Sequence, residues 1–152
     1  MSVMGIRCSN RDFTWVILTG SKTQPHIQEL NSLGFPRNYS KPRSLLWFVQ
    51  EIEQLIQRHK VQKIVMKGFE GRTRGKTYEE RVEYESAVYI AGAKNGLNSI
   101  SKKVKSTIAK DLGLKGRGHY LQTALDTSVI ADYDAKTEKE REAILSAWSW
   151  LD

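Results

Sequence analysis

Two basic residues close apolar segments that are predicted to be β-strands. Arg7 ends the segment 3–7, and Lys67 ends the segment 61–67. In a sheet built from βαβ units, a site forms where the ends of neighbouring strands meet. A guanidinium and an ammonium group there attract phosphate, whereas a hard divalent cation needs carboxylate oxygens. The pair therefore predicts an anion site at this edge of the sheet.

The segment 68–77 that follows Lys67 is a loop rich in glycine and positive charge. It contains three glycines together with Arg72, Arg74 and Lys76, and it leads into a predicted helix. Backbone amides and the helix dipole favour an anion at such a position. The segment lacks the glycine and lysine spacing of a Walker A motif. A solvated crossover loop is the alternative, but its place beside Lys67 favours contact with a phosphate backbone.

A second basic segment covers residues 101–118. Val104, Ile108 and Leu112 recur at helical spacing, so we predict a helix with a basic outer face. An ordinary solvated face would have the same pattern, but two basic segments beside one predicted sheet edge favour an electrostatic track for nucleic acid. The cations assigned to that track are Lys102, Lys103, Lys105, Lys115 and Arg117.

The composition supports the same kind of partner. The chain has 152 residues and a formal charge of +7, which favours phosphate-rich partners. This length predicts a single domain over residues 1–152. The N-terminal residues lack a signal-peptide pattern, and no stretch approaches the length of a membrane span. We therefore expect a cytoplasmic protein that does not associate with membranes.

Cysteine and histidine give no reason to expect a metal site. Cys8 is the only cysteine, which excludes an intrachain disulfide and fits a reducing compartment. We predict that it is a half-buried residue at a strand end. His26, His59 and His119 are widely spaced and form no helical pair of metal ligands.

The remaining pattern predicts three strands followed by alternating helices and strands. The predicted strands cover residues 3–8, 13–19, 25–30, 61–67 and 97–100. A loop containing Gly34 and Pro36 follows the third strand. Pro42, preceded by Ser40 and Lys41, suits the first turn of the next helix, which has Leu46 on its apolar face. This order indicates a mixed-sheet α/β fold.

Residues typical of helix caps indicate where the later helices begin and end. Thr77 and Glu80 have the spacing of a capping box that would begin the helix 79–95, and Asn95-Gly96 would end it. A second capping box, Thr137 with Glu140, would begin the closing helix.

Several of these segments resemble the ribonuclease H-like superfamily, and in particular its RuvC-type Holliday-junction resolvase branch. The segment 4–9, Met-Gly-Ile-Arg-Cys-Ser, resembles an opening strand with the pattern hydrophobic-Gly-Ile-Asp-Pro-Gly. Residues 61–67 resemble the strand that carries the family's central Glu. Residues 86–93, with Gly96-Leu97 after them, resemble the next helix and strand, and Val104-Lys105 resembles a short segment beyond. The resemblance implies a ribonuclease H-like fold, with three antiparallel N-terminal strands in a mixed sheet flanked by helices.

The departures from the family pattern concern its catalytic carboxylates. Arg7 stands where the family has its first Asp, and Lys67 stands where it has its Glu. On the closing helix, Glu142 matches one acidic position better than Glu138 does. The two-metal site of the family therefore does not carry over to this chain.

Three hypotheses follow. The first is a catalytically degenerate pseudo-nuclease that binds DNA or RNA through its basic loops and needs no cofactor. The second is an active nuclease that uses Mg²⁺ or Mn²⁺ at a rearranged site of Asp12, Glu70 and Glu142. The third is a protein-interaction module, such as a homodimer formed through the helix 79–95.

Overall fold

The computed structural model describes residues 1–72 and 74–152 and contains one five-stranded sheet. The strands are β1 (Val3–Cys8), β2 (Asp12–Gly20), β3 (Pro25–Gly34), β4 (Lys63–Lys67) and β5 (Ile100–Lys103), in the spatial order β3-β2-β1-β4-β5. The helices are α1 (Lys41–His59), α2 (Lys76–Lys94), α3 (Lys105–Asp111), α4 (Tyr120–Thr123) and α5 (Glu138–Trp148), with 3₁₀ turns at Thr127–Val129 and Tyr133–Ala135. The predicted α/β mixed sheet is confirmed.

The register of the central strands brings the two basic strand ends together. β1 pairs antiparallel with β2 and parallel with β4, and Ile6 lies opposite Met66. Because both strands run in the same direction, Arg7 and Lys67 follow this pair at the same edge of the sheet. The predicted meeting of these two strand ends is confirmed.

Both faces of the sheet are covered. On one face, α1 and α2 contribute to a core that includes Ile6, Phe13 and Phe48. On the other face, Ile144 and Trp148 of α5 pack in a second core. Complete burial of such side chains stabilises the fold by roughly 1.5–3 kcal/mol each.

Cys8 is 1% exposed, so the prediction that it is half-buried was wrong.

In the first half of the chain, the end of β3 and the exposure of one residue of α1 differ from prediction. β3 runs to Gly34 instead of ending near residue 30, because its long pairing with β2 continues until Gly34 lies opposite Asp12. α1 begins as predicted, with the Ser40 side chain accepting a hydrogen bond from the Arg43 amide. Leu46, however, is 55% exposed and lies outside the apolar face.

The start of α2 also differs from prediction. Its N-cap is Gly75, and no side chain caps it. The Glu79 amide donates to the Gly75 carbonyl, so the first helical turn already includes Thr77. The predicted capping box of Thr77 with Glu80 was therefore wrong, whereas that of Thr137 with Glu140 on α5 is confirmed.

The basic segment 101–118 is not one helix. β5 begins at Ile100 instead of residue 97, because residues 100–103 pair with β4, and the helix α3 covers only Lys105–Asp111. Lys102 and Lys103 consequently lie on a strand. Val104, predicted to be under the helix, is 36% exposed.

The close approach of β1 and α5 gives a test of the packing that positions the site. A β-carbon at Gly5 would overlap the backbone carbonyl of Ala143, which cannot move as a flexible side chain can. We expect Gly5→Ala to lower the free energy of unfolding by about 2–3 kcal/mol, as overpacking of a core does.

Urea denaturation provides the measurement, and Gly34→Ala is the matched control. At Gly34 the nearest atom to an added β-carbon is the Arg11 carbonyl oxygen at 3.8 Å, an ordinary contact. Equal stability of the two variants would contradict the proposed packing of α5 against β1.

Candidate functional site

One carboxylate lies between the two basic strand ends. Glu142, on α5, accepts a hydrogen bond at 3.0 Å from Nε of Arg7 on β1. The same oxygen, Oε2, lies 3.8 Å from Nζ of Lys67 on β4. The side chains of Arg7, Glu142 and Lys67 are 18%, 12% and 2% exposed, so the cluster is largely desolvated. We call these three residues the charge cluster.

Lys67 is the most deeply buried member of the charge cluster. Its ammonium group donates to the Gly68 carbonyl at 2.7 Å and to Glu70 Oε2 at 3.2 Å. Burial lowers the pKa of Lys67 below its ordinary value, although Glu142 and Glu70 oppose this effect. An ammonium with several close oxygen partners and almost no exposure is a structural counter-ion and not an open ligand for phosphate.

Glu70 connects the cluster to the neighbouring elements. Besides contacting Lys67, its carboxylate accepts from the backbone amide of Lys105 at 3.3 Å. This carboxylate therefore ties the start of the glycine-rich loop to both β4 and the first residue of α3.

The three carboxylates of the nuclease hypothesis do not meet. Glu70 and Glu142 converge, but on the ammonium of Lys67. Asp12 binds Lys139 at 2.8 Å and accepts from the Ser9 hydroxyl at 2.8 Å. Burial raises the pKa of Asp12, but the hydrogen bonds from Lys139 and Ser9, together with the charges of Lys139 and Arg7, hold the pKa below its ordinary value. Within residues 1–72 and 74–152, no three Asp, Glu, His or Cys residues are grouped to hold a metal ion. The arrangement of Asp12, Glu70 and Glu142 therefore does not fit a two-metal site.

A second buried ionic network lies beside the charge cluster and was not found from the sequence. Arg81 donates from Nη2 to the Lys67 carbonyl at 2.6 Å and from Nε to Glu85 at 3.3 Å. Glu85 is 2% exposed and also pairs with Lys102 at 3.0 Å. The spacing of Arg81 and Glu85 by four residues indicates a pair on one helix face. It does not reveal that this face is buried.

Next to the charge cluster, a cavity of about 440 Å³ opens between the β1–β2 turn and the start of α2. We call it the basic cavity. Its lining contains no carboxylate and consists of Arg7, Ser9, Asn10, Phe69, Arg74, Gly75, Lys76, Thr77, Tyr78 and Arg81. The guanidinium of Arg74 lies over the Tyr78 ring at 5.1 Å, and that of Arg81 over the Phe69 ring at 5.7 Å. Four cations around one opening make it suitable for an anion.

The other basic residues predicted to bind nucleic acid differ in exposure. Lys103 is buried and pairs with Asp111 at 2.8 Å and with the Ser149 hydroxyl at 3.1 Å, so its charge is used within the fold. Lys102 is engaged by Glu85 as described, and Lys105 is partly exposed. Arg72, Lys102, Lys115 and Arg117 are exposed.

The helix proposed for dimerisation uses its small residues within the chain. Ala87 and Ala91 of α2 are buried in the core shared with α1. Gly92 lies against Ile100, since an added β-carbon would overlap that side chain. Tyr89 and Ile90 are 41% and 55% exposed. A homodimer through α2 stays a prediction, and any contact would involve these outer residues.

Comparison with solved structures identifies the class of fold. The sheet order and its flanking helices are those of the ribonuclease H-like fold in its RuvC-type form. The similar structures include Thermus thermophilus RuvC, with a TM-score of 0.75 and 10% identity over 98% of this chain and 92% of RuvC. RuvC from the same organism in complex with a Holliday junction substrate has a TM-score of 0.73 and 8% identity over 98% and 91%.

The yeast mitochondrial Holliday junction resolvase Ydc2 is a further relative in fold. Its TM-score is 0.63 at 14% identity, over 97% of this chain and 76% of Ydc2. No protein-family model and no curated protein sequence matches the chain. None of the helices within residues 1–72 and 74–152 combines the length and the hydropathy of a membrane-spanning segment.

The charge cluster predicts a specific loss of stability. Glu142→Gln would leave Arg7 and Lys67 buried without their shared counter-ion, so we expect the free energy of unfolding to fall by about 3 kcal/mol. Thermal and urea denaturation measure this change.

Glu83→Gln is the control, because it removes a carboxylate from an exposed pair with Lys41 at 3.8 Å. Breaking that surface pair should cost less than about 1 kcal/mol. If Glu142→Gln cost no more than Glu83→Gln, the carboxylate would not be compensating the two buried cations.

Proposed function

We propose that this protein binds nucleic acid through phosphate contacts in the basic cavity, and that cations have replaced the metal-dependent cleavage site of the RuvC-type fold. The observation that carries the proposal is the sign of the charge at the strand ends. Arg7 and Lys67 lie at the edge where the resemblance would place carboxylates, and both contact the carboxylate of Glu142 on the closing helix.

The polarity of the cluster determines which partner it favours. A divalent cation placed beside Arg7 and Lys67 would be repelled by two fixed charges and would compete with them for Glu142. A phosphate would be attracted by the cavity, whose lining contains four cations and no carboxylate. The fold is shared with a RuvC solved in complex with a Holliday junction substrate, and the chain carries a net charge of +7. All of these properties favour a polyanion.

Burial divides the predicted binding residues into two groups. Arg74 and Lys76 are exposed and line the basic cavity, so they are available to a phosphodiester. Arg7 also lines it while bonded to Glu142. Lys67 and Lys103 are buried in ion pairs and stabilise the fold beneath this surface. Since phosphate contacts carry little base information, binding should be largely independent of sequence.

Reversing charge in the basic cavity tests nucleic-acid binding. We expect the variant Arg74→Glu with Lys76→Glu to bind at least about tenfold more weakly, because a hydrogen bond to a charged group contributes on the order of 1.5 kcal/mol. Fluorescence anisotropy with labelled single-stranded and duplex DNA and RNA, at several salt concentrations, provides the measurement. The magnitude of the salt slope should also fall, by about 0.7–0.9 for each phosphate that the variant no longer neutralises.

The control variant is Lys22→Glu with Lys60→Glu. It changes the net charge equally, but these lysines lie at the other edge of the sheet, one after β2 and one before β4. An equal drop in affinity for both variants would show a nonspecific effect of net charge and contradict binding in the cavity.

Cleavage assays separate the degenerate site from an active one. We expect purified protein to leave branched, duplex and single-stranded substrates intact with Mn²⁺ or Mg²⁺, since Glu70 and Glu142 are bound to Lys67. Cleavage that required Mn²⁺ and disappeared in Glu70→Gln would favour the active nuclease and overturn this part of the proposal.

A further inference from the structure

We propose that a nucleic-acid strand held in the basic cavity continues across the β1–β2 turn into a second cleft, between the end of β3 and the start of α1. This inference rests on the proposed function and adds a second contact region for the strand. The second cleft has a volume of about 810 Å³. We call it the outer cleft.

The outer cleft adjoins the basic cavity at a single turn. Asn10 lines both of them, while Ser9 faces the basic cavity and Arg11 faces the outer cleft. The turn is held in place, because the Phe35 amide donates to the Arg11 carbonyl at 2.8 Å and Ser9 bonds to Asp12. A strand that leaves the basic cavity over Asn10 therefore enters the outer cleft directly.

The charge of the outer cleft is suited to a phosphate backbone. Its cations are Arg11, Arg37 and Lys41, and its one carboxylate, Asp12, is bound by Lys139 at 2.8 Å. Arg11 and Arg37 are exposed, and neither is in an ion pair with another residue of the described ranges. Their guanidinium groups can bind a phosphate in a bidentate manner.

The floor of the outer cleft is rigid. The Phe35 and Tyr84 rings stack with their centroids 3.6 Å apart, and the Tyr84 hydroxyl bonds to Ser44 at 2.8 Å. Lys41 lies over the Tyr84 ring at 4.6 Å and is 3.8 Å from Glu83. The exposed cations thus project from a preorganised surface, which lowers the entropic cost of binding.

Strand length gives a discriminating test. The probes are labelled single strands of about 6 and about 24 nucleotides, the first at the short end of the range of ~4–16 that a single-strand-binding module covers. Each is made as DNA and as RNA, and anisotropy is measured at several salt concentrations. The variants are Arg11→Glu with Arg37→Glu, Arg74→Glu with Lys76→Glu, and the control Lys22→Glu with Lys60→Glu.

The expected result is a weakening that depends on length. Reversal of Arg11 and Arg37 should weaken binding of the long strand about tenfold, reduce its salt slope by about 1.4, and leave the short strand within about twofold of the unmodified protein. Reversal of Arg74 and Lys76 should weaken both strands. The control should change neither.

The two proposals fail in different ways. If reversal of Arg11 and Arg37 left the long strand unaffected while reversal of Arg74 and Lys76 weakened it, the outer cleft would not be on the path and the proposed function would stand. If the unmodified protein bound neither strand, or no variant changed binding, both proposals would be overturned. Circular dichroism of each variant confirms that the comparison is made between folded proteins.

Discussion

The site depends on one carboxylate that serves two cations. Glu142 joins α5 to Arg7 on β1 and Lys67 on β4, so three separate elements meet at one carboxylate group. Desolvation penalises each of these charges, and only their mutual attraction together with further hydrogen bonds offsets the penalty. The ammonium group of Lys67 is 3.8 Å from Glu142 and also donates a hydrogen bond to a second carboxylate, that of Glu70. Glu70 lies at the start of the glycine-rich loop, so its bond to Lys67 positions the loop. The same buried ammonium is close to Glu142, which connects the sheet to α5.

This arrangement lets one residue act in the fold and at the surface. Arg7 satisfies Glu142 through Nε and the Cys8 carbonyl through Nη1, and its side chain also lines the basic cavity. Arg81 behaves similarly, since it binds Glu85 and the Lys67 carbonyl while forming part of the cavity wall. These two guanidinium groups are oriented before any ligand arrives. An anion entering the cavity meets fixed donors, which is the condition for strong electrostatic binding at low reorganisation cost.

The features predicted correctly from the sequence are those that local patterns determine. The apolar run in β2, the start of α1 near Pro42 and the capping box at Thr137 each depend on residues close in the chain. Parallel pairing of the strands that end at Arg7 and Lys67 also followed from the order of elements. Two local predictions were wrong as well, the capping box of Thr77 with Glu80 and the place of Leu46 on the apolar face. The other errors concern long-range pairing. The position of β5 is fixed by hydrogen bonds to β4, and the burial of Lys103 depends on Asp111 and Ser149, which no local pattern connects to it.

Because local sequence patterns do not reveal which basic residues form buried ion pairs, a count of basic residues overestimates the number available to bind a ligand. Net charge measures what the chain carries, whereas binding depends on which charges remain hydrated and unpaired. Burial lowers the pKa of Lys67, and the nearby carboxylates of Glu142 and Glu70 oppose that effect and favour the charged ammonium. Removing it from that environment to reach a phosphate would leave Glu70 without its ammonium partner and Glu142 with Arg7 alone. Arg74 and Lys76, by contrast, are exposed at the start of α2, and Lys76 lies 4.0 Å from Glu80 in a surface ion pair. In the proposed function, positive charge thus has two separate uses, and solvent exposure distinguishes them.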